Sequence, residues 1–273
     1  MRLLNRTPSL GRAILLGALP FLAVIVIYLL ASDMRLAANP NDKLLPSLAS
    51  FAEAIQGFAL EPDKRTGEYQ LWADTTASLT RLGLGLALSA LIGLVFGILT
   101  GLIPYARATL SPFIAALSLI PPLALLPVLF IVFGLGEVAK VVLIVIGIAP
   151  FIMRDVALRV AELPHELLIK AQTLGGSTWQ IALRVILPQM LPRLIDALRL
   201  ALGAAWLFLI AAEAIAAEDG LGYRIFLVRR YLAMDVILPY VAWITLLAFL
   251  MDQLLRQASR RLFPWYHVGS ART

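Results

Sequence analysis

The sequence predicts an all-α integral membrane protein with six transmembrane helices. Three observations carry that prediction. Sixty per cent of the 273 residues are apolar and only 15% are charged, where a soluble domain has roughly 25% charged. The apolar residues gather into six runs near the length needed to cross a bilayer. The stretches between the runs hold most of the charge. A water-soluble fold of this length could not hide so much apolar surface; a bilayer can.

The first run covers about residues 12–31 and follows Arg2, Arg6 and Arg12. Its apolar core is longer than the roughly 7–15 residues of a signal peptide, and no small-x-small cleavage site follows, so it reads as an uncleaved anchor. Residues 32–77 are the least apolar part of the chain. Within them Leu44-Leu45-Pro46 turns into a helix with Ser47 as N-cap. Leu48, Phe51, Ala52, Ile55 and Phe58 then recur at helical spacing. A short amphipathic helix is expected there, either on the outer membrane surface or against the bundle, with docking of a binding protein as a second role.

The second run covers about 79–103. Gly85, Ser89, Gly93, Gly97 and Gly101 recur every four residues on one face. Such stripes let two helix backbones approach closely where lipid offers no hydrophobic drive for association. Helix packing is the expected role, with pore lining as the alternative. The third run, about 110–133, contains Pro121, Pro122 and Pro127. Each removes a backbone donor and obstructs the preceding turn, so this span is expected to be broken. A broken span lies against protein or a wet cavity, and it can be either a packing kink or the side of a translocation path. The fourth run, about 139–153, is short for a span and must extend into a flank. The fifth and sixth cover about 191–212 and 236–255.

Six spans place both termini on one side. Most arginines and lysines, from Arg2, Arg6 and Arg12 through Arg107, Arg154 and Arg193 to Arg260 and Arg272, then fall on that side, which predicts cytoplasmic termini. The other side carries Arg35, Lys43, Lys64, Arg65, Lys140, Arg224, Arg229 and Arg230 among many acids. The net charge of +6 follows from this bias and does not call for a nucleic-acid partner. The ionisable residues inside spans are few. Asp252 and Arg256, and Asp196 and Arg199, are one helical turn apart and are expected to pair. Glu213 has no local partner, which makes it a functional candidate, although Arg224 could fold back to it.

Enzyme classes find no support. Cysteine is absent, and His165 and His267 are the only histidines, which excludes thiol catalysis, disulfides and a histidine-rich metal site. Gly134-Leu135-Gly136-Glu137 and Gly175-Gly176-Ser177-Thr178 do not continue as a phosphate-binding loop. No metal, cofactor or catalytic residue is expected in this chain.

Between the fourth and fifth spans lies a polar helical stretch. His165 to Leu174 reads as a helix that Gly175 ends. Thr178 to Ile186 reads as a second helix, which Pro188 is expected to interrupt. Ala171, Gly175 and Leu187-Pro188 match the cytoplasmic Glu-Ala-Ala loop of bacterial ABC importer permeases. Ile169 and Lys170 replace its first two residues, Lys170 standing at the first Ala position. Ser78-Leu79-Thr80-Arg81, Ile120-Pro121-Pro122 with Pro127, Phe133-Gly134-x-Gly136-Glu137-x-x-Lys140, Ala212-Glu213 and Gly220-Leu221-Gly222-Tyr223 follow in the family's order. Over about residues 78–264 the chain resembles the nitrate/sulfonate/taurine permease group of ABC importers.

The resemblance implies a type I importer permease fold with a cytoplasmic coupling helix, in the bacterial inner membrane. It implies an anchor and periplasmic segment at 1–77, a permease core at 78–264 with a coupling hairpin at 154–189, and a tail at 265–273. Ile169, Lys170, Ala171, Gly175, Leu187 and Pro188 would contact the ATPase. Pro121, Pro122, Pro127 and Glu213 would border the translocation path. The implied partners are a second copy of this chain, two ABC ATPase subunits that hold ATP and Mg, and a periplasmic binding protein. The cargo would be a small solute such as nitrate, bicarbonate, taurine or another sulfonate. A six-span secondary transporter or channel is the competing class. It would need a proton-relay acid at a span centre or inverted repeats, and neither is evident.

Overall fold

The computed structural model describes residues 9–40, 42–64 and 67–267. Arg2, Arg6, Arg65, Arg272 and the tail beyond 267 lie outside them. No strand occurs among the described residues. Five helices are long and apolar enough to cross a membrane: Gly11–Ala38, Gln70–Leu102, Glu137–Ala161, Thr178–Ala216 and Met234–Leu262. A sixth span arises if Pro104–Leu117 and Pro122–Phe133, bent by 80°, count as one. The chain separates into two compact units, Met1–Tyr69 with Val228–Tyr240, and Gln70–Leu227 with Val241–Thr273.

In the first unit α1 (Leu10–Ala38) is apolar on all sides. The amphipathic helix forms as α2 (Leu48–Ile55), and Ser47 caps it by accepting from the Ser50 amide. It continues as one wide π-helical turn, Gln56–Leu60. Side chains of α1 hold its entry: the Tyr28 hydroxyl donates to the Pro46 carbonyl at 2.7 Å and Ser32 to that of Leu45 at 2.9 Å. Tyr28 stacks on Phe51 with centroids 5.9 Å apart. Tyr28 and Ser32 thus tie the entry of α2 to α1, while no residue of α2 itself is buried. Nearby, the hydrogen bond from the Arg35 guanidinium holds the Asp42 carboxyl below its ordinary pKa.

The core of the second unit is built by α3 (Gln70–Leu102), α6 (Glu137–Ala161) and α9 (Leu187–Ala216). The small-residue stripe of α3 is its principal contact. A Cβ added at Gly85 would lie 2.7 Å from Ile144, at Gly93 2.4 Å from Ile152, at Gly97 2.6 Å from Val156 and at Gly101 2.6 Å from Val160. Four glycines thus receive a β-branched row of α6 that repeats every four or eight residues, the spacing of one ridge fitting one groove. Packing between helices of this chain is the observed role of the stripe. The α6–α9 contact uses the same device, with Gly147 admitting the Phe208 ring.

The broken third span is α4 (Pro104–Leu117), a 3₁₀ turn at Pro122–Leu125 and α5 (Leu126–Phe133). Pro104 starts α4 near its first position, where a missing amide costs nothing. Pro121 and Pro122 supply no donor to continue it, which accounts for the break. The short fourth run extends in both directions to form the 25 residues of α6.

One expectation is corrected. Pro188 does not interrupt the second helix of the polar hairpin. That helix, begun as α8 (Thr178–Ile181), runs through a π-helical turn at Ala182–Ile186 into α9. Residues 178–216 are continuous. The wide turn shifts the amide of Leu187 to the carbonyl of Ala182, so the ladder is already displaced where proline lacks its N–H. A π-turn is a common way for a helix to absorb such a defect.

Candidate functional site

Two polar constructions occupy opposite ends of α9. Leu187 and Glu213 are separated by 26 residues, about 39 Å at 1.5 Å per residue, which exceeds the hydrocarbon thickness of a bilayer.

At one end, the polar members of the scattered motifs meet. Ser78 and Arg81 lie one turn apart on α3, both buried. Arg81 donates through Nη1 to Glu213 Oε1 at 2.8 Å and to the Asp219 carbonyl at 3.0 Å. Its Nη2 reaches Glu137 Oε1 at 2.8 Å and makes a close contact with the Asp219 carboxylate, while Nε makes one with Glu137 Oε2. Five acceptors therefore surround a group with five N–H donors. Lys140 adds a second cation to Glu137 at 2.8 Å.

Glu213 is fully buried. The Ser78 hydroxyl contacts its two oxygens at 2.8 and 2.9 Å, and the Gly222 amide donates to Oε2 at 2.9 Å. Ser78 in turn accepts from the Leu221 amide at 2.9 Å. The loop before α10 (Leu221–Val228) can close over the carboxylate only through its glycines. Gly220 has φ +113°, and a Cβ there would lie 2.6 Å from the Glu213 carboxyl. One at Gly222 would lie 2.6 Å from the Ile210 carbonyl.

The expected return of Arg224 to Glu213 does not occur. Arg224 pairs instead with buried Asp74, at 2.8 Å, and Asp74 also accepts from the Gly220 amide at 3.0 Å. Arg224 sits on the face of α10 that meets the start of α3, whereas Glu213 is already enclosed by Ser78, Arg81 and Gly222. Asp74 and the Arg81–Glu213 pair were missed from sequence. Arg81 and Glu213 each stand in one of the short motifs and Asp74 in the polar stretch before the second run, and no local pattern joins them. The knot ties three helices and a loop together.

At the opposite end the hairpin projects. α7 (His165–Thr173) ends at Leu174. Gly175 follows with φ +79°, and the Gly176 amide reaches back to the Ala171 carbonyl at 3.0 Å, the Schellman closure. Ser177 then opens α8 with a full capping box to Gln180. Leu163, Ile181, Ile186 and Met190 seat the hairpin on the core of α6 and α9, with Leu168, Ala171 and Val185 packed beside them. Ile169, Leu174 and Trp179 are left 59%, 89% and 70% exposed, an apolar tip on a polar knob. Lys170 and Gly175 are exposed, Leu187 is half-buried, and Pro188 is exposed in the first turn of α9. The structure brings the hairpin residues Ile169, Lys170, Ala171 and Gly175 into one knob. It does not bring them near Glu213.

Lower on α9, the expected pairs Asp196–Arg199 and Asp252–Arg256 both form, each at 3.3 Å. Arg199 joins them by reaching Asp252 on α11 (Met234–Leu262) at 2.8 Å. Tyr266, on α12 (Pro264–His267), donates to Asp196 at 3.1 Å. Burial, reinforced by that carboxylate, pushes its phenol above the ordinary range. Pro121 and Pro127 lie exposed in the broken span with Leu119, Ile120 and Leu123, and Pro122 is half-buried. No group of three or more metal-ligating side chains occurs among the described residues.

Comparison with known proteins fits this arrangement. Residues 93–264 match the family model described as binding-protein-dependent transport system inner membrane component. The chain is 40% identical over 228 residues to the taurine transport system permease protein of Escherichia coli K12, covering 83% of this chain and 79% of that one. It is 33% identical over 185 residues to the bicarbonate transport system permease protein of Synechococcus elongatus, covering 67% and 66%. Among solved structures, the inward-facing MetNI methionine ABC transporter is similar with a TM-score of 0.59 at 24% identity, over 70% of this chain and 94% of that one. A bacterial ABC transporter that imports alginate gives 0.63 at 15% identity, over 93% and 97%. At such identities these two speak for the fold alone.

Proposed function

The chain belongs to the family of binding-protein-dependent transport system inner membrane components, and from that premise we propose that two copies of it form the pore of an ATP-driven importer of a small solute of the nitrate, bicarbonate, taurine and sulfonate class. The observation that carries the proposal is the hairpin of residues 162–186. An apolar tip made of Ile169, Leu174 and Trp179 on a polar, doubly capped knob suits burial in a partner's groove, since exposed apolar side chains so placed gain free energy only when a second surface covers them. That partner is an ABC ATPase, one for each copy, which would hold ATP and Mg. The opposite end would receive a periplasmic binding protein, and both termini would lie in the cytoplasm. The cargo class rests on relatives named for taurine and bicarbonate. Uptake of labelled taurine by cells expressing the whole system, lost when this chain is deleted and restored by it, is the experiment that tests the reading. Uptake that persists without the chain would overturn it.

The ATPase dock is tested at Gly175. Valine there must adopt a positive φ that a β-branched residue strongly disfavours, although a Cβ would meet no atom within 4 Å. Gly175→Val is expected to re-aim the tip by distorting the turn. ATPase co-purification should fall at least tenfold while membrane insertion and the melting temperature of the permease stay close to those of the wild type. Normal recovery of the ATPase with this variant would dismiss the dock.

The path is placed along the interface between the two copies, beside the broken span and α9, with Pro121, Pro122 and Pro127 on its wall. Glu213 serves there as an anchor of the outer end rather than as a ligand, because a fixed carboxylate would repel an anionic cargo. Single cysteines are informative in a chain that has none of its own. Across positions 119–127 and 205–213, labelling by a small water-soluble thiol reagent is expected at Leu119→Cys, Ile120→Cys and Leu123→Cys, to change with ATP, and to be absent at Ala212→Cys. Protection throughout both stretches would remove the path from this face.

A further inference from the structure

At the end of the bundle that leads into the hairpin, a cavity of about 330 Å³ opens between the last turns of α3 and α6 and one side of α4. That is room for roughly ten water-sized volumes, the small end of the range for ligand clefts. Two arginines line it, Arg107 and Arg154, together with Thr100 and Ser111, over a floor that includes Ile114 and Met153. No carboxylate is among the lining residues. Neither arginine pairs with an acid among the described residues, in contrast to Arg81, Arg199 and Arg224.

The two guanidiniums are held in place by neutral groups. Arg107 donates through Nε to the Thr100 carbonyl at 3.0 Å and through Nη2 to that of Gly101, which caps the end of α3. Arg154 donates through Nη1 to the Ser118 hydroxyl at 3.0 Å, just ahead of the Pro121 break. These contacts orient the side chains without neutralising them. Each keeps donors to spare on a planar fork that suits an oxyanion. Two uncompensated positive charges at a small, partly apolar cavity form an anion site, because charge-assisted bonds from arginine to a phosphate or sulfonate are about twice as strong as neutral ones.

We propose that this cavity binds a tetrahedral oxyanion between Arg107 and Arg154, with Ser111 able to donate to the same group. Two sources carry that chemistry. One is the phosphate of an anionic phospholipid, whose acyl chains would follow the exposed apolar face of the neighbouring helices. The other is a free sulfonate or sulfate. The free-sulfonate source rests on the import reading; the lipid source does not, and neither requires an ATPase for its measurement.

The test uses the full-length permease purified in a non-ionic, sugar-headed detergent, with binding followed as a shift in melting temperature and by native mass spectrometry. One arm titrates short-chain phosphatidylglycerol, with phosphatidylcholine as control; the other titrates taurine and sulfate. A saturable response that Arg154→Gln weakens at least tenfold supports the site, and the arm that responds identifies the source. Ser111→Leu should weaken binding by filling the cavity with both charges intact. Arg107→Gln is less suitable alone, since it also uncaps α3. Absence of saturable binding in both arms, or binding unchanged in Arg154→Gln and Ser111→Leu, would overturn the proposal. Failure of taurine uptake by the complete system, with phosphatidylglycerol binding intact, would leave this site standing and remove only the import reading.

Discussion

Replacing Arg81 with alanine is expected to collapse the knot at the end of the bundle opposite the hairpin. Glu213 is fully enclosed, and Arg81 is its only charged partner among the described residues, at 2.8 Å. Removing one member of a buried ion pair leaves an uncompensated charge and costs about 3–5 kcal/mol. The loss is spread over α3, α6, α9 and the loop at Asp219, since the same guanidinium ties all four. Thermal unfolding in detergent should show a drop of several degrees or more, and limited proteolysis should open the 217–222 loop first. Arg81→Lys should recover only part, because a point charge with three donors cannot span five acceptors. Arg81→Met combined with Glu213→Leu should be less damaging than Arg81→Ala, as exchange of a buried pair for apolar groups of similar size often is. If Arg81→Ala melts like the wild type, the knot contributes nothing to stability and its role must be sought elsewhere.

The second large effect is expected at Gly93. A Cβ there would stand 2.4 Å from the Ile152 side chain, well inside van der Waals contact. Even alanine must push α3 and α6 apart or twist Ile152 from its rotamer, typically at about 1–3 kcal/mol, and leucine should prevent the native approach of the two helices. Gly93→Leu and Gly97→Leu are therefore expected to give poorly folded, aggregation-prone protein by size-exclusion chromatography. The diagnostic variant is Gly93→Ala with Ile152→Ala. Shortening the opposing residue makes room for the added methyl group, so the double variant should recover part of the stability that Gly93→Ala loses. Equal melting temperatures for wild type and Gly93→Leu would mean that the stripe bears no close contact.

Both predictions rest on features whose origin in the sequence differs. The α3 stripe was legible because its period of four is a local property: small residues every four positions share a helix face whatever surrounds them. Its partner was not legible. Ile144, Ile148, Ile152, Val156 and Val160 also share a period of four, but nothing local states which glycine meets which branched side chain. The knot was legible only as a succession of unrelated short motifs, each holding a polar residue in an apolar setting. The pairing of Arg81 with Glu213 spans 132 positions and that of Asp74 with Arg224 spans 150. Glu213 has no partner within a turn of itself, and the cation that meets it lies on another helix.

By itself, the sequence determined the class, the membrane-spanning segments and the local punctuation. Composition required a bilayer, apolar run lengths set the spans, Ser47 started a helix, Gly175 ended one, and Pro121-Pro122 broke one. These are short-range effects, decided by rotation about a few bonds and by single missing donors. Only the tertiary structure decided that Pro188 sits in an unbroken helix, because an upstream π-turn absorbs its defect. It decided as well that the two hairpin helices present Ile169, Leu174 and Trp179 together, and that Arg107 and Arg154 share a cavity free of acids. Those outcomes depend on the rotation and axial register of whole helices against one another. That register is set jointly by every contact along the α3, α6 and α9 interfaces, so no single stretch of the chain contains it.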